Sequence, residues 1–103
     1  MLGEFEYLIV TSAAGLGDKA YGAAIREAIV VATGRNRSIG ALYTTIERLE
    51  AKGLLTSRMG EATPQRGGRS KRMVRVTGAG VRAAKEFYDA VTRISRGAAW
   101  AAD

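Results

Sequence analysis

Two short groups of residues carry the hydrogen-bonding and cationic side chains of the sequence in a usable pattern. The first is Ser38, Gly40, Thr44, Thr45 and Arg48, at helical spacing on a segment whose other side holds Ile39, Leu42, Ile46 and Leu49. The second is Arg66, Arg69 and Lys71, followed by Arg72 and built around Gly67-Gly68. Neither group suggests bond-breaking chemistry. Side chains free of core duty on an α-helix suit the base edges of a major groove, and small residues among them permit close approach. Arginines on a glycine-rich loop suit a phosphate backbone or a narrow minor groove.

Within the first group Thr44, Thr45 and Arg48 are the best-placed readers. Threonine bonds several bases and meets a thymine methyl, while Arg48 either forks onto a guanine or holds a phosphate. Arg35, Asn36, Arg37 and Ser38 fall at or before the start of the same helix. Backbone N–H groups and the helix dipole favour a phosphate there, so positioning is their expected role. Tyr43 lies between the apolar and exposed faces, and two roles are open to it, core filling with an exposed tip or a phosphate-binding hydroxyl.

Charge is distributed unevenly. Over 103 residues, 16 Lys and Arg against 10 Asp and Glu give a net charge of +6. Residues 1–34 carry −2 and residues 77–103 carry +1, whereas residues 35–76 hold ten basic residues against Glu47, Glu50 and Glu61, a net of +7. Such a segment attracts a polyanion by counterion release, and a solvated basic surface explains the charge equally well. Cysteine and histidine are both absent. That removes disulfides, thiolate zinc sites, thiol nucleophiles and imidazole acid–base chemistry. The carboxylates, lysines and tyrosines show neither pairing nor metal-ligand spacing, so the expectation is a protein that is not an enzyme and carries no cofactor or metal.

The elements that must position these residues follow from periodicity and punctuation. Phe5, Leu8, Ile9, Ala13 and Leu16 predict a first helix, broken by Gly15-Leu16-Gly17-Asp18. From about Ala20, the residues Tyr21, Ala24, Ile25, Ala28, Ile29 and Ala32 predict a second helix that stops at Gly34. Ser38 is a good N-cap for the third, which ends at Gly53. Alternation through residues 55–59 and 72–76 then predicts two strands of a hairpin with a long basic tip. Thr77 caps a last helix, in which Val81, Ala84, Phe87, Tyr88, Val91 and Ile94 form an apolar stripe wide enough to need a partner. Gly97 frays or ends that helix, and the tail is too short for an element of its own.

The predicted fold is therefore mainly α with a two-stranded β-hairpin, a winged helix-turn-helix with a C-terminal dimerisation helix. Residues 1–76 form the winged region, 77–97 the dimerisation helix and 98–103 a tail, in one compact domain overall. Helix, helix, helix, hairpin with a basic tip and helix, in that order, point to sequence-specific binding of double-stranded DNA by a homodimer. A protein-interaction module on the same scaffold is the alternative. Gly78-Ala-Gly80-Val-Arg-Ala83 formally matches a dinucleotide fingerprint. The chain ends before the strand and acidic residue that the motif requires, and a glycine-built helix start explains it better. Apolar stretches such as residues 7–10 and 28–32 fall far short of the roughly 20 residues of a membrane span. Glu4 and Glu6 replace the basic start of a signal peptide. A cytoplasmic location away from membranes is expected.

Several short sequences, taken together, resemble the PadR family over roughly residues 3–96. They are Tyr21-Gly22, Gly40-Ala-Leu42-Tyr43, Arg48-Leu49-Glu50-x-x-Gly53-Leu54-Leu55, Gly67-Gly68-Arg69 and Val76-Thr77-x-x-Gly80. The resemblance implies a homodimeric, repressor-like transcriptional regulator of the smaller subclass, whose last helix forms the dimer interface with help from the first. It implies DNA contacts from Ser38, Gly40, Tyr43, Thr44, Arg69 and Lys71, while Arg37, Arg48 and Arg66 rest on their chemistry alone. Two departures stand out. Ile39 replaces a proline found in many members, and Met73-Val74 replace an aromatic pair. The drug-sandwiching tryptophan of some relatives aligns with Val91, and the one tryptophan here is Trp100. A small-molecule effector is implied without its identity.

Overall fold

The structure is a computed structural model and describes residues 1–60 and 71–101. Its elements run α1 (Glu4–Leu16), a 3-10 turn (Gly17–Lys19), α2 (Gly22–Thr33), α3 (Ile39–Ala51), β1 (Leu55–Met59), β2 (Arg72–Val76), α4 (Gly78–Ser95) and a 3-10 turn (Ala99–Ala101). The mainly helical fold with its two-stranded antiparallel hairpin is the one the sequence predicts. The hairpin tip, with Arg66 and Arg69, lies outside the described residues.

Each helix end is set by a specific residue. Gly17 at φ 60 ends α1, Gly34 at φ 70 ends α2, and Gly53 at φ 76 turns the chain out of α3. At Gly53 the Gly53 N–H bonds the Glu50 carbonyl at 2.9 Å and the Leu54 N–H bonds the Leu49 carbonyl at 3.0 Å. This pair of hydrogen bonds at a left-handed glycine satisfies carbonyls that the last turn leaves free. At the start of α3 the Ser38 hydroxyl accepts from the Ala41 N–H at 3.1 Å, as the sequence predicts.

The core is a single cluster. Ile9, Val10 and Ala13 of α1 meet Ile25 and Ile29 of α2, Leu42, Ile46 and Leu49 of α3, Leu55 of β1 and Val74 of β2. Full burial of each large aliphatic chain contributes about 1.5–3 kcal/mol, so this one cluster holds the three helices at fixed angles to the hairpin. In the hairpin, Leu55 lies opposite Val76 and Ser57 opposite Val74.

Four details differ from the pattern read in the sequence. The second helix begins at Gly22, because Ala20 and Tyr21 run beside β2 outside helical geometry, with Tyr21 extended. The Val74 N–H donates to the Ala20 carbonyl at 2.8 Å, and Tyr21 bridges Met73. Leu16 and Gly15 remain inside α1, and the break falls at Gly17. Ile39 is 46 % exposed, since it is the first residue of α3 and stands beyond the edge of the core. The tail, expected to hold no element, contains the turn at Ala99–Ala101.

The stripe on α4 divides in two. Ala84 and Phe87 are half-buried against their own domain, with the Phe87 ring stacked on Tyr7 at a centroid distance of 4.6 Å. Val81, Tyr88, Val91 and Ile94 are exposed, Ile94 at 81 %. One glycine of the fingerprint-like sequence, Gly80, has a packing role. Gly80 is buried, and a Cβ there would collide with the Leu54 carbonyl oxygen.

Candidate nucleic-acid interface

Because Leu42, Ile46 and Leu49 commit one side of α3 to the core, its other side is left to solvent. Gly40, Thr44, Glu47 and Arg48 are exposed there, with Ala41 half-buried. Thr45 does not belong to that face. It is 7 % exposed, and its hydroxyl donates to the Ala41 carbonyl one turn earlier at 2.9 Å. A threonine that satisfies its hydroxyl on its own helix fits inside an apolar arc, so Thr45 leaves the set of predicted readers. Around Gly40 the opposite holds. Nothing lies within 4 Å of where a Cβ would stand. The fold itself places no demand on glycine at that position.

Tyr43 is half-buried, and its phenol end rests against Gly22 at the first residue of α2. Its ring therefore sets the approach of α2 and α3. The Arg72 guanidinium stands 5.6 Å from the Tyr43 ring centroid and bonds Glu50 Oε1 at 3.1 Å. The Ser57 hydroxyl donates to the same Glu50 oxygen at 2.7 Å and accepts from Arg72 Nε at 3.2 Å. This network ties both strands of the hairpin to the last turn of α3. It fixes the wing's base relative to the helix face, a role for Glu50, Ser57 and Arg72 that the sequence does not announce. Lys71, next in the chain, is exposed with its ammonium 4.1 Å from the Tyr21 ring centroid.

The first turn of α1 adds a second wall to the site. A groove brings Arg37, Thr44 and Arg48 together on the α3 side and faces them with Gly3, Glu4, Phe5 and Glu6. Arg37 is held at several points. Its carbonyl accepts from Arg26 Nε at 2.8 Å, its guanidinium lies 4.4 Å from the Phe5 ring centroid, and Nη2 is 3.9 Å from Glu4 Oε1. Arg35 is exposed, and its N–H donates to the Thr33 hydroxyl at 3.1 Å.

Glu6 clamps the two walls. One oxygen accepts the Gly3 N–H at 2.9 Å and the other accepts Lys52 Nζ at 2.8 Å. An acid in the first turn of α1 and a lysine at the end of α3 also complement both helix dipoles. The Gly3 N–H and then Lys52, with a smaller contribution from Arg48, hold the Glu6 carboxyl below its ordinary value of 4.5 against the opposing effect of burial. A lowered folded-state value means that the clamp's contribution is complete above the unfolded-state value and is lost as pH falls through the folded one. Glu6→Gln keeps an acceptor for Gly3 and removes the charge. It is expected to lower stability by about 1 kcal/mol at neutral pH, since Lys52 is partly solvated. Chemical denaturation from pH 7 to pH 2 checks this, because the gap between variant and parent should begin to narrow near pH 4.5 and close only once pH falls below the lowered folded-state value.

An exposed polar face on the third of three helices, followed by a hairpin pinned to that helix, is the layout of a winged helix. Residues 14–86 match the family described as the transcriptional regulator PadR-like family. The chain belongs to that family. Its fold is similar to a PadR-family transcriptional regulator from Eggerthella lenta, at 25 % identity and a TM-score of 0.64, covering 87 % of this chain and 76 % of that one. It is also similar to a PadR-family regulator from Clostridium difficile, at 20 % identity and a TM-score of 0.68, covering 92 % and 97 %. A third similar structure is Bacillus subtilis PadR in complex with operator DNA, at 20 % identity and a TM-score of 0.61, covering 82 % of this chain and 46 % of that one. No curated protein matches the chain. As a PadR-like regulator it carries no helix, among the described residues, long and apolar enough to cross a membrane.

Proposed function

We infer that this PadR-like regulator is a cytoplasmic homodimer that binds double-stranded DNA sequence-specifically through α3 and the wing. The observation that carries this reading is the exposed face of α3. Its small and hydrogen-bonding residues Gly40 and Thr44 sit beside Arg48, while its opposite face is locked in the core. Open space at Gly40 supports it further, because a glycine in a helix costs about 0.5–1 kcal/mol relative to alanine and here serves no internal contact. A surface that approaches the helix closely accounts for that residue. Ser38, Arg35, Arg37 and Lys71 take positioning roles on phosphates, Tyr43 a packing role with its tip available, and Arg66 and Arg69 extend the phosphate contact from the hairpin tip.

Two copies related by a two-fold axis bind a pseudo-palindromic operator with half-sites about 34 Å apart. Repression is inferred from the family pattern, and from the way an occupied operator excludes other proteins. A small-molecule effector is part of the same proposal. A cleft of about 770 Å³ between the end of α1, the hairpin and Val81 has the size that small ligands fill, and its mixture of Asp18, Arg58 and Arg75 with apolar walls selects no single ligand class.

Selection from a random duplex library tests the central reading. A single enriched motif with two-fold symmetry is expected, and Thr44→Ala is expected to change the preferred base at one position of each half-site, at about 1–3 kcal/mol of discrimination. Enrichment of no motif would overturn DNA reading in favour of a protein-interaction module. An unchanged motif with Thr44→Ala would remove Thr44 from the readers.

A further inference from the structure

The groove beside α3 places an acidic residue where a polyanion-binding surface has least use for one. Glu4 shares a wall with Phe5 and Glu6, opposite Arg37, Thr44 and Arg48. Glu6 serves the fold through Gly3 and Lys52, as described above. Glu4 is different. Its side chain is 74 % exposed, and its carboxylate approaches Arg37, whose own side chain is 41 % exposed, at 3.9 Å. The main chain of Arg37 is fixed just before the N-cap of α3 by Arg26, and its guanidinium is drawn over Phe5 toward α1.

We propose that Glu4 is an affinity-setting residue, an internal counter-ion that occupies Arg37 in the free protein and is exchanged for a DNA phosphate on binding. This rests on the DNA-binding reading above. A phosphate offers Arg37 the same charge as Glu4, so the exchange itself gains little. It also leaves Glu4 without its counter-ion, within a Debye length of about 8–10 Å of a polyanion. Both effects weaken binding, and neither depends on base sequence, because Arg37 and Glu4 act on the backbone alone. Glu4 therefore lowers absolute affinity and flattens the salt dependence while leaving the preferred sequence unchanged. That trims, by about one charge, the sequence-independent attraction of a protein with seven excess positive charges between residues 35 and 76.

The test compares the parent, Glu4→Gln, Arg37→Ala and the double variant, using the full chain, its selected motif and a scrambled duplex over a range of salt. Glu4→Gln is expected to bind both duplexes roughly three- to tenfold more tightly at low salt, with a log–log salt slope steeper by up to about 0.9, the increment for one unit of positive charge no longer offset by a carboxylate. Its thermal unfolding should match the parent's, which separates an electrostatic role from a structural one. In the Arg37→Ala background the gain from Glu4→Gln should shrink to the part that comes from relieving repulsion between Glu4 and the polyanion. If the parent binds DNA and Glu4→Gln changes neither affinity nor slope, the proposal is overturned and the DNA reading stands. A gain of undiminished size without Arg37 overturns the exchange as well. Failure of the parent to bind any duplex overturns the reading itself.

Discussion

Gly80→Ala is expected to cost about 3 kcal/mol or more in stability, a large share of the roughly 5–15 kcal/mol that holds a domain of this size together. The added methyl would overlap the carbonyl oxygen of Leu54 and crowd Val76 Cγ1. That carbonyl cannot retreat. It accepts the Thr77 N–H at 3.2 Å, its own residue's N–H is bonded to Leu49 at 3.0 Å, and the Thr77 hydroxyl donates to the neighbouring Gly53 carbonyl at 2.7 Å. The Gly80 N–H in turn donates to the Thr77 hydroxyl at 3.0 Å, so both sides of the contact are anchored. Relief comes only from lifting α4, which uncovers Ala83, Ala84 and the Phe87–Tyr7 stack. Gly78→Ala is the matched control. A Cβ there meets nothing nearer than an ordinary contact with the flexible Arg82 side chain, at 3.5 Å. Alanine at that position is expected to be neutral or slightly stabilising, since it lowers the entropy of the unfolded chain. Thermal and urea unfolding of the two variants decide the matter. A Gly80→Ala protein as stable as Gly78→Ala would show that the close approach of α4 to the α3–β1 turn is not required.

How much of this was legible in the sequence follows from how local each determinant is. Ser38 as a cap, Gly34 as a left-handed stop and Thr77 as the start of α4 are decided by a residue and its near neighbours, and all three appear as read, while the exit from α3 falls two residues before the Gly53 turn. The alternation of the hairpin strands is similarly local. What the sequence concealed is what depends on distant partners. The non-helical pair Ala20–Tyr21 belongs to α2 by apolar periodicity, yet it is held beside β2 by the bond from Val74 to Ala20, 54 residues apart. The clamp from Glu6 reaches Lys52 across 46 residues. Glu50, Ser57 and Arg72 lie on three different elements, and nothing in their spacing marks them as one network.

The candidate site shows the same division. Helical spacing placed Gly40, Thr44 and Arg48 on an exposed face and the structure agrees. Residue type misplaced two others. Thr45 is polar and reads as surface, but its hydroxyl is satisfied within the helix and the residue is buried. Ile39 is apolar and reads as core, but at the first helical position it overhangs the domain. The α1 wall of the groove was invisible for a further reason. Charge counted along the chain sets residues 1–34 apart as slightly acidic, and only folding brings Glu4 and Glu6 beside Arg37 and Arg48.

A double change of Val91 and Ile94 to glutamine is expected to convert the proposed dimer to a monomer and weaken operator binding by about 10²- to 10⁴-fold. The choice of residues follows from the divided stripe on α4. Replacing Ala84 or Phe87 would damage the domain itself, so loss of the dimer and loss of the fold could not be told apart. Val91 and Ile94 are 46 % and 81 % exposed in one copy. Glutamine has a better helix propensity than either, and it leaves the net charge of +6 unchanged, so the monomer keeps its fold and its electrostatic attraction to DNA. In a two-fold pair the substitutions bring four amides into the interface, each costing about 1–3 kcal/mol unless it finds a partner. Separated copies must then occupy the two half-sites independently, and the advantage of linked binding is lost. Light scattering and titration of a full operator against a single half-site measure the two consequences. The half-site affinity should be preserved while the full-site affinity falls to it. A variant that remains dimeric would remove Val91 and Ile94 from the interface. A monomer that binds the full site as tightly as the parent would show that recognition does not require two linked copies.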